Sequence, residues 1–289
     1  MTMMTRRIFI RRGATALAGA AVFGQFAQLL AQAAPGAKIR LGSRTNCFGS
    51  DYKVAKQCGI EGIEVGVGGA ADTLKIAEPG EQQKQKDMAQ AAGVVISSLS
   101  MDLMNGSPVA TEPRAVAWLG QCIAASKNLG ATGILVPFFG KAHLLQGNEW
   151  KKSDMESVVK RMKEVAPQAE AAGVTLGVEC TLPSAKYLEI LDRIGSKFVG
   201  AYYDVGNTTG AGYDVPAEIR ALKGRISQIH FKDGKNFLGE GKVKFDPIAV
   251  ALRDIDYRGW IVLETSCPTK NGAADGKKNA DFTRKLMGI

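Results

Sequence analysis

No acidic residue precedes Asp51, and no stretch of five or six basic residues occurs in the 289-residue chain. The formal net charge of +9 is therefore scattered, with four of the positive charges (Arg6, Arg7, Arg11 and Arg12) confined to the amino terminus. Charge spread in this way gives no footprint for nucleic acid. No Cys-x-x-Cys pair occurs among Cys47, Cys58, Cys122, Cys180 and Cys267, and only two histidines are present, His143 and His230. A Gly-x-Gly-x-x-Gly turn after the first strand candidate is also missing. Gly66-Val67-Gly68-Gly69, after the second, lacks the third spacing. That absence argues against an open dinucleotide-binding sheet.

What stands at the amino terminus reads as an export address. Thr5-Arg6-Arg7-Ile8-Phe9-Ile10 sets two arginines ahead of apolar residues. Gly13 to Leu30 is a Gly/Ala-rich apolar stretch, and Ala31-Gln32-Ala33 has the small-x-small form of a cleavage site. The arginine pair reads as a twin-arginine signal, so residues 1–33 are expected to be removed during export by that machinery to the periplasm or beyond. The apolar stretch is long enough to span a bilayer. Gln25, Gln28 and its glycines nevertheless favour cleavage over a retained anchor. Residues 38–289 then form a single domain, near the roughly 250 residues of a (β/α)8 barrel. An odd cysteine count leaves at least one thiol unpaired in an exported protein. Cys58 and Cys122 lie in helix-like segments, whereas Cys47, Cys180 and Cys267 follow strand candidates, where a disulfide is left open.

Short apolar runs alternate with helical stretches along the whole mature sequence. The strand candidates are Ile39–Thr45, Gly62–Gly66, Val94–Leu99, Gly133–Pro137, Val174–Glu179, Phe198–Asp204, Ile226–Phe231 and Trp260–Glu264. Each is apolar through most of its length, as strands buried on both faces of a parallel sheet must be. Between them, Ser153-Asp154-Met155-Glu156 has the form of a capping box. Met155, Val158, Val159, Met162, Val165, Ala166 and Ala169 then repeat at helical spacing. Ala-Ala-Gly-Val passages at Ala91–Val94 and Ala171–Val174 mark helix ends, where glycine supplies the left-handed residue. Eight strands alternating with helices, without the dinucleotide turn, predict a closed (β/α)8 TIM barrel.

In such a barrel the carboxyl ends of the strands converge on one face. Strands five to eight end in Glu179, Asp204, His230 and Glu264. Three carboxylates brought together beside an imidazole carry about −3 when ionised and repel one another unless a cation compensates. Oxygen-rich ligation with one nitrogen favours Mn²⁺, with Mg²⁺, Co²⁺ or Zn²⁺ as further choices. Glu64 at the end of strand two, Lys232 beside His230 (facing either a substrate oxygen or Asp233), and His143 in the loop after strand four are substrate-binding candidates. Phe138, Phe139 and Trp150 are candidate walls of a sugar pocket, and Glu240 reads as a loop-shaping residue.

Glu179, Tyr203-Asp204-Val205-Gly206-Asn207, His230-Phe231-Lys232-Asp233 and Glu264 together resemble the xylose-isomerase-like barrels of the sugar phosphate isomerase/epimerase group. Gly59-Ile60-Glu61-Gly62-Ile63-Glu64 and Leu238-Gly239-Glu240-Gly241 support the resemblance, which spans nearly the whole mature chain. It implies that Glu179 and Glu264 are both metal ligands and the catalytic acid/base pair, with Asp204 and His230 completing the metal shell. The implied reaction removes a proton beside a sugar carbonyl, through an enediolate, in isomerisation or epimerisation. A keto-sugar or keto-glycoside lyase or dehydratase shares the first step, and a non-catalytic carbohydrate-binding barrel stays open. An abasic-site endonuclease needs more histidines than His143 and His230. Ketohexose 3-epimerases carry a substrate-contacting histidine where Asn207 stands and an arginine where Asn236 stands, which makes Asn207 a further substrate-binding candidate. The implied partner is a small carbohydrate, and a homo-oligomer is allowed.

The signal generates its own test. Replacing Arg6→Lys and Arg7→Lys together should leave the full-length precursor in the cytoplasm, read by fractionation and intact mass. Export and processing at an unchanged level would remove the twin-arginine reading.

Overall fold

The computed structural model describes residues 38–45, 48 and 51–289. The expected signal segment and Cys47 lie outside the described residues.

Eight parallel strands close into one barrel: β1 (Arg40–Arg44), β2 (Gly62–Gly66), β3 (Val95–Ser100), β4 (Gly133–Pro137), β5 (Thr175–Glu179), β6 (Val199–Asp204), β7 (Ile226–Phe231) and β8 (Trp260–Leu263). Each strand pairs with its neighbour in sequence, and β1 pairs with β8 to close the ring. The strand limits differ from the sequence candidates by one residue at most. Outside the ring lie α1 (Tyr52–Gln57), α2 (Pro79–Ala92), α3 (Ala115–Leu129), α4 (Lys152–Ala172), α5 (Ser184–Ile194), α6 (Val205–Gly210), α7 (Val215–Leu222), α8 (Phe245–Asp254) and α9 (Gly272–Met287). A two-residue-strand hairpin, Leu145–Gln146 with Glu149–Trp150, fills the loop between β4 and α4. No helix among the described residues is long and apolar enough to cross a membrane.

The helix α4 shows how pattern becomes packing. All seven of its periodic apolar side chains, from Met155 to Ala169, are buried. Fully burying a valine or methionine contributes about 1.5–3 kcal/mol, so this stripe alone docks the helix firmly. Its end is as expected, with Gly173 at φ 69°. Its start corrects the capping box. The helix begins at Lys152 with Lys151 as the N-cap and no side-chain cap. Ser153 already lies within the first turn, and the Glu156 carboxylate pairs with Arg193 on α5. The Lys151 N–H is taken by the Leu144 carbonyl at 2.9 Å, so the hairpin, not Ser153, sets the entry.

Inside the ring, residues two apart on a strand face the same side. Tyr202 and Asp204, Gln228 and His230, and Gly62 and Glu64 form such pairs. The ladder carries a register shift between Ile63 and Glu64 in β2, and another between Ala201 and Tyr202 in β6. Large interior side chains fit because the facing strands offer glycine. A Cβ on Gly133 would lie 2.8 Å from Gln228 Oε1, and one on Gly177 would lie 2.9 Å from Tyr202 Cβ.

Gly177→Ala should therefore destabilise the fold by about 1–3 kcal/mol, because the Tyr202 Cβ cannot swing away. Urea unfolding followed by circular dichroism measures it. Wild-type stability in that variant would show that β5 and β6 are less closely packed than described.

Candidate metal centre

Glu179 closes β5, Asp204 closes β6, His230 is next to last in β7, and Glu264 follows the end of β8. The β6–β7 register sets Asp204 against His230. The Glu264 N–H donates to the Phe231 carbonyl at 3.0 Å, which ties the first loop residue after β8 to β7. These backbone constraints bring one ligand atom from each of the four residues within 4.8 Å of the others. His230 Nδ1 faces Glu179 Oε1 at 3.2 Å, Glu264 Oε2 at 3.3 Å and Asp204 Oδ2 at 3.8 Å. Asp204 divides its work. Its Oδ1 accepts from the Asn207 N–H at 2.6 Å and so caps α6. Its Oδ2 is buried and receives no aligned hydrogen bond, although Lys232 Nζ lies 3.1 Å away as an ion-pair neighbour.

Two cations and a fourth carboxylate complete the surroundings. Lys232 Nζ also reaches Glu264 Oε2 at 2.9 Å. Arg44, at the end of β1, donates from Nη1 to Glu264 Oε1 at 3.0 Å, and its Nε lies 3.4 Å from Glu64 Oε1. Its outer nitrogen pairs with the half-exposed Asp102. Glu64 itself has no side-chain exposure and lies 3.1 Å from His230 Nε2, on the opposite side of the ring from the three ligand carboxylates. Glu64, Glu179, Asp204, Glu264 and the half-exposed Asp102 set against Arg44 and Lys232 leave a formal −3 with His230 neutral. A divalent cation would offset most of that charge, and Asp204 Oδ2, ion-paired with Lys232 but without an aligned hydrogen bond, is an oxygen free to turn to it. The donor set fits such an ion.

Electrostatics separate the two candidate acid/base groups. Burial, with help from Asp204 and Glu264, pushes the Glu179 carboxyl up to about 7 against the pull of His230. Burial also opposes ionisation of Glu264, but His230, Lys232 and Arg44 outweigh it and hold that carboxyl below the usual range. Asp204 is raised, chiefly by burial. Burial would lower His230, yet Glu64, Glu179 and Glu264 lift it well above its ordinary value.

The other sequence candidates fare differently. Glu64 does not face open space where a substrate could reach it; it sits behind His230. Lys232 joins Asp204 and Glu264 rather than Asp233. The buried Asp233 carboxylate instead accepts from the N–H groups of Gly239, Gly241 and Val243 at 2.8–3.1 Å, organising the loop after β7. Glu240 in that loop pairs with Lys278. Asn207 lies half-buried at the mouth of α6. The His143 Nδ1 is held by the Leu145 backbone in its own loop. Phe138 is fully buried core, Phe139 is half-buried, and the Trp150 indole donates to Glu189 under Lys186. Arg44 was missed, although it ends β1 as Glu179 and Asp204 end β5 and β6. A cavity of about 770 Å³ opens at the other end of the barrel, lined in part by Lys197, Lys223, Arg225 and Arg258, and includes none of the four ligand candidates.

Residues 52–286 match the model of a family described as xylose isomerase-like TIM barrel. The chain is 25% identical over 186 residues to a 2-epi-5-epi-valiolone 7-phosphate 2-epimerase of Actinoplanes sp., a match spanning 63% of this chain and 66% of that protein. It is 24% identical over 260 residues to an L-ribulose-5-phosphate 3-epimerase of Escherichia coli, spanning 83% of this chain and 90% of the relative. A solved L-ribulose 3-epimerase superposes with a TM-score of 0.71 at 21% identity, covering 86% of this chain and 95% of that one. The apo form of a 3-keto-D-glucoside 4-epimerase from E. coli gives 0.69 at 15% identity, covering 86% and 100%. These structural likenesses establish the fold.

Ion binding should be proton-linked. Below a pH of about 7 the Glu179 carboxyl holds a proton that a ligand must shed, and His230 must shed one as well. Mn²⁺ affinity should therefore fall as pH drops through about 7, by about tenfold per unit for each proton released. Calorimetry in buffers of different protonation enthalpy counts the protons. A pH-independent affinity with no proton release would show that these groups do not ligate.

Proposed function

The chain belongs to the xylose isomerase-like TIM barrel family, and from that premise we propose that it is a metal-dependent sugar isomerase or epimerase acting by proton abstraction. The observation that carries this reading is the meeting of Glu179, Asp204, His230 and Glu264 within 4.8 Å, two of them glutamates able to move protons. The epimerase relatives support a small carbohydrate with a carbonyl next to a hydroxyl as the substrate. A divalent cation, Mn²⁺ by preference for an oxygen-rich set with one nitrogen, would be held by these four residues and would supply Lewis-acid polarisation of the carbonyl.

The protein's own part is proton transfer and orientation. Glu179 and Glu264 approach His230 Nδ1 at 3.2 and 3.3 Å from different strands, so they flank whatever sits between them. One takes the proton from the carbon beside the carbonyl, giving an enediolate. The other returns it to the neighbouring carbon in isomerisation, or to the opposite face in epimerisation. Lys232, about a quarter exposed, pairs with Asp204 and Glu264 and would hold a sugar oxygen from its exposed side. Asn207, whose backbone N–H donates to Asp204 Oδ1, would be a second residue to offer an amide to the sugar. His143, with Nδ1 committed to Leu145, has only Nε2 to offer a hydroxyl. Twin-arginine export, proposed from residues 1–33, would put this site among unphosphorylated sugars and keto-glycosides. That placement keeps a keto-glycoside lyase as the second reading, because β-elimination begins with the same abstraction.

Mn²⁺-loaded protein in D₂O, offered ketoses and 3-keto-glucosides, separates the outcomes. Deuterium entering a C–H position without fragmentation supports the isomerase, and aglycone release supports the lyase. Glu179→Gln and Glu264→Gln should each lower turnover about 10²–10⁴-fold. Full rates in both variants would sink the acid/base assignment, and binding without turnover in the wild type would leave a carbohydrate-binding barrel.

A further inference from the structure

A polar column runs along the barrel axis beneath the four ligand residues, where side chains such as valine, isoleucine and leucine usually fill the layers. Gln228 Nε2 donates to Ser98 Oγ at 2.9 Å and to the Tyr202 hydroxyl at 2.7 Å. Both hydroxyls pass their own hydrogens to Glu64 Oε2, Ser98 at 2.8 Å and Tyr202 in a shorter bond. Glu64 Oε1 is left to face Arg44 Nε at 3.4 Å and His230 Nε2 at 3.1 Å. The Tyr202 ring also meets the His230 ring edge-on, with centroids 4.5 Å apart. Gln228, Ser98, Tyr202, Glu64 and His230 are all buried.

Donor bookkeeping fixes the proton on the histidine. A hydroxyl that accepts from the Gln228 amide has one hydrogen to give, and here it goes to Glu64. Arg44 can only donate. The Glu64 carboxylate therefore receives from every other partner, and the consistent assignment makes His230 Nε2 a donor too. The Nδ1 side faces only Glu179, Asp204 and Glu264, so Nδ1 is the nitrogen that gives up its proton when an ion binds among those carboxylates and then offers the ion its lone pair. The register shifts in β2 and β6 fall at Glu64 and Tyr202, the two residues that must be aimed inward to meet. Irregularities of this kind re-aim side chains beside active sites.

We propose that Glu64 is the positioning residue of the metal centre, holding His230 as the Nε2–H tautomer with Nδ1 turned to the ligand carboxylates. The inference rests on the proposed metal site, but it concerns the ring behind that site rather than the reaction in front of it. A carboxylate that only filled the barrel interior would have no need of the imidazole; a hydrophobic side chain would fill the space without the burial cost. Partners that orient a ligating histidine in this way typically change metal affinity 10–100-fold when lost.

Glu64→Gln keeps an acceptor oxygen and loses the charge, while Glu64→Leu loses both. Mn²⁺ affinity by calorimetry should fall about tenfold in the first and about a hundredfold in the second. In ¹⁵N-labelled wild-type protein the His230 Nε2 should carry a slowly exchanging, downfield proton, which Glu64→Leu abolishes. A filler role would lower the melting temperature and leave both readouts alone. Tyr202→Phe removes one donor to Glu64 and keeps the ring, and should weaken Mn²⁺ binding in the same direction but less, which covers the case of a Glu64 variant that does not fold. Wild-type affinity and an unchanged Nε2 proton in a folded Glu64→Leu protein overturn the proposal. If wild-type protein binds no divalent ion, the function proposed above falls, and the Nε2 proton in wild type against Glu64→Leu still decides the place of Glu64.

Discussion

The whole centre depends on the burial of negative charge at one end of a parallel barrel. Glu64, Glu179 and Asp204 are almost wholly withdrawn from water, and Glu264 largely so. Withdrawn carboxylates are tolerated only where opposite charge or donors replace the lost solvent. Arg44 and Lys232 supply part of that replacement, the column of Ser98, Tyr202 and Gln228 supplies hydrogen bonds, and the residual negative charge suits a divalent ion. The same crowding pulls the two candidate acid/base groups apart, raising Glu179 and lowering Glu264. Groups that differ in proton affinity within one site are what acid/base chemistry needs.

The barrel achieves this by layering. Glycines at Gly62, Gly133 and Gly177 make room lower down for Trp260, Gln228 and Tyr202. Tyr202 donates to Glu64, Gln228 donates to Tyr202 in turn, and Glu64 backs His230. A ligand residue at the rim is thus positioned from below by rigid strands rather than by mobile loops, which suits a site that must hold fixed geometry. The loop after β7 is braced separately, by the Asp233 carboxylate on three backbone N–H groups.

Much of the fold was legible before any coordinates. Buried parallel strands must be apolar almost throughout, so runs such as Ile226–Phe231 stand out. The stripe from Met155 to Ala169 states both a helix and its buried face. That the four candidate ligands meet was legible for a related reason: an apolar strand that runs into a charge marks the carboxyl-end rim. Arg44 bears the same mark on β1. The capping box at Ser153 was misleading because the entry to α4 is governed by a hairpin hydrogen bond, a contact that local pattern does not encode.

The sequence by itself therefore determined the alternation, the barrel, and which residues stand at the rim, because period and position along a strand are local properties. Only the tertiary structure decided which rim residues face one another. Strand register and its two shifts turned Glu64 from a substrate candidate into the support of His230. They also gave Lys232 to Asp204 and Glu264, and left Asp233 to its own loop. Hydrogen bonds and ion pairs between β1, β2, β6, β7 and the loop after β8 join residues up to 220 positions apart. Partnerships at that separation are set by ring closure, which no local spacing records.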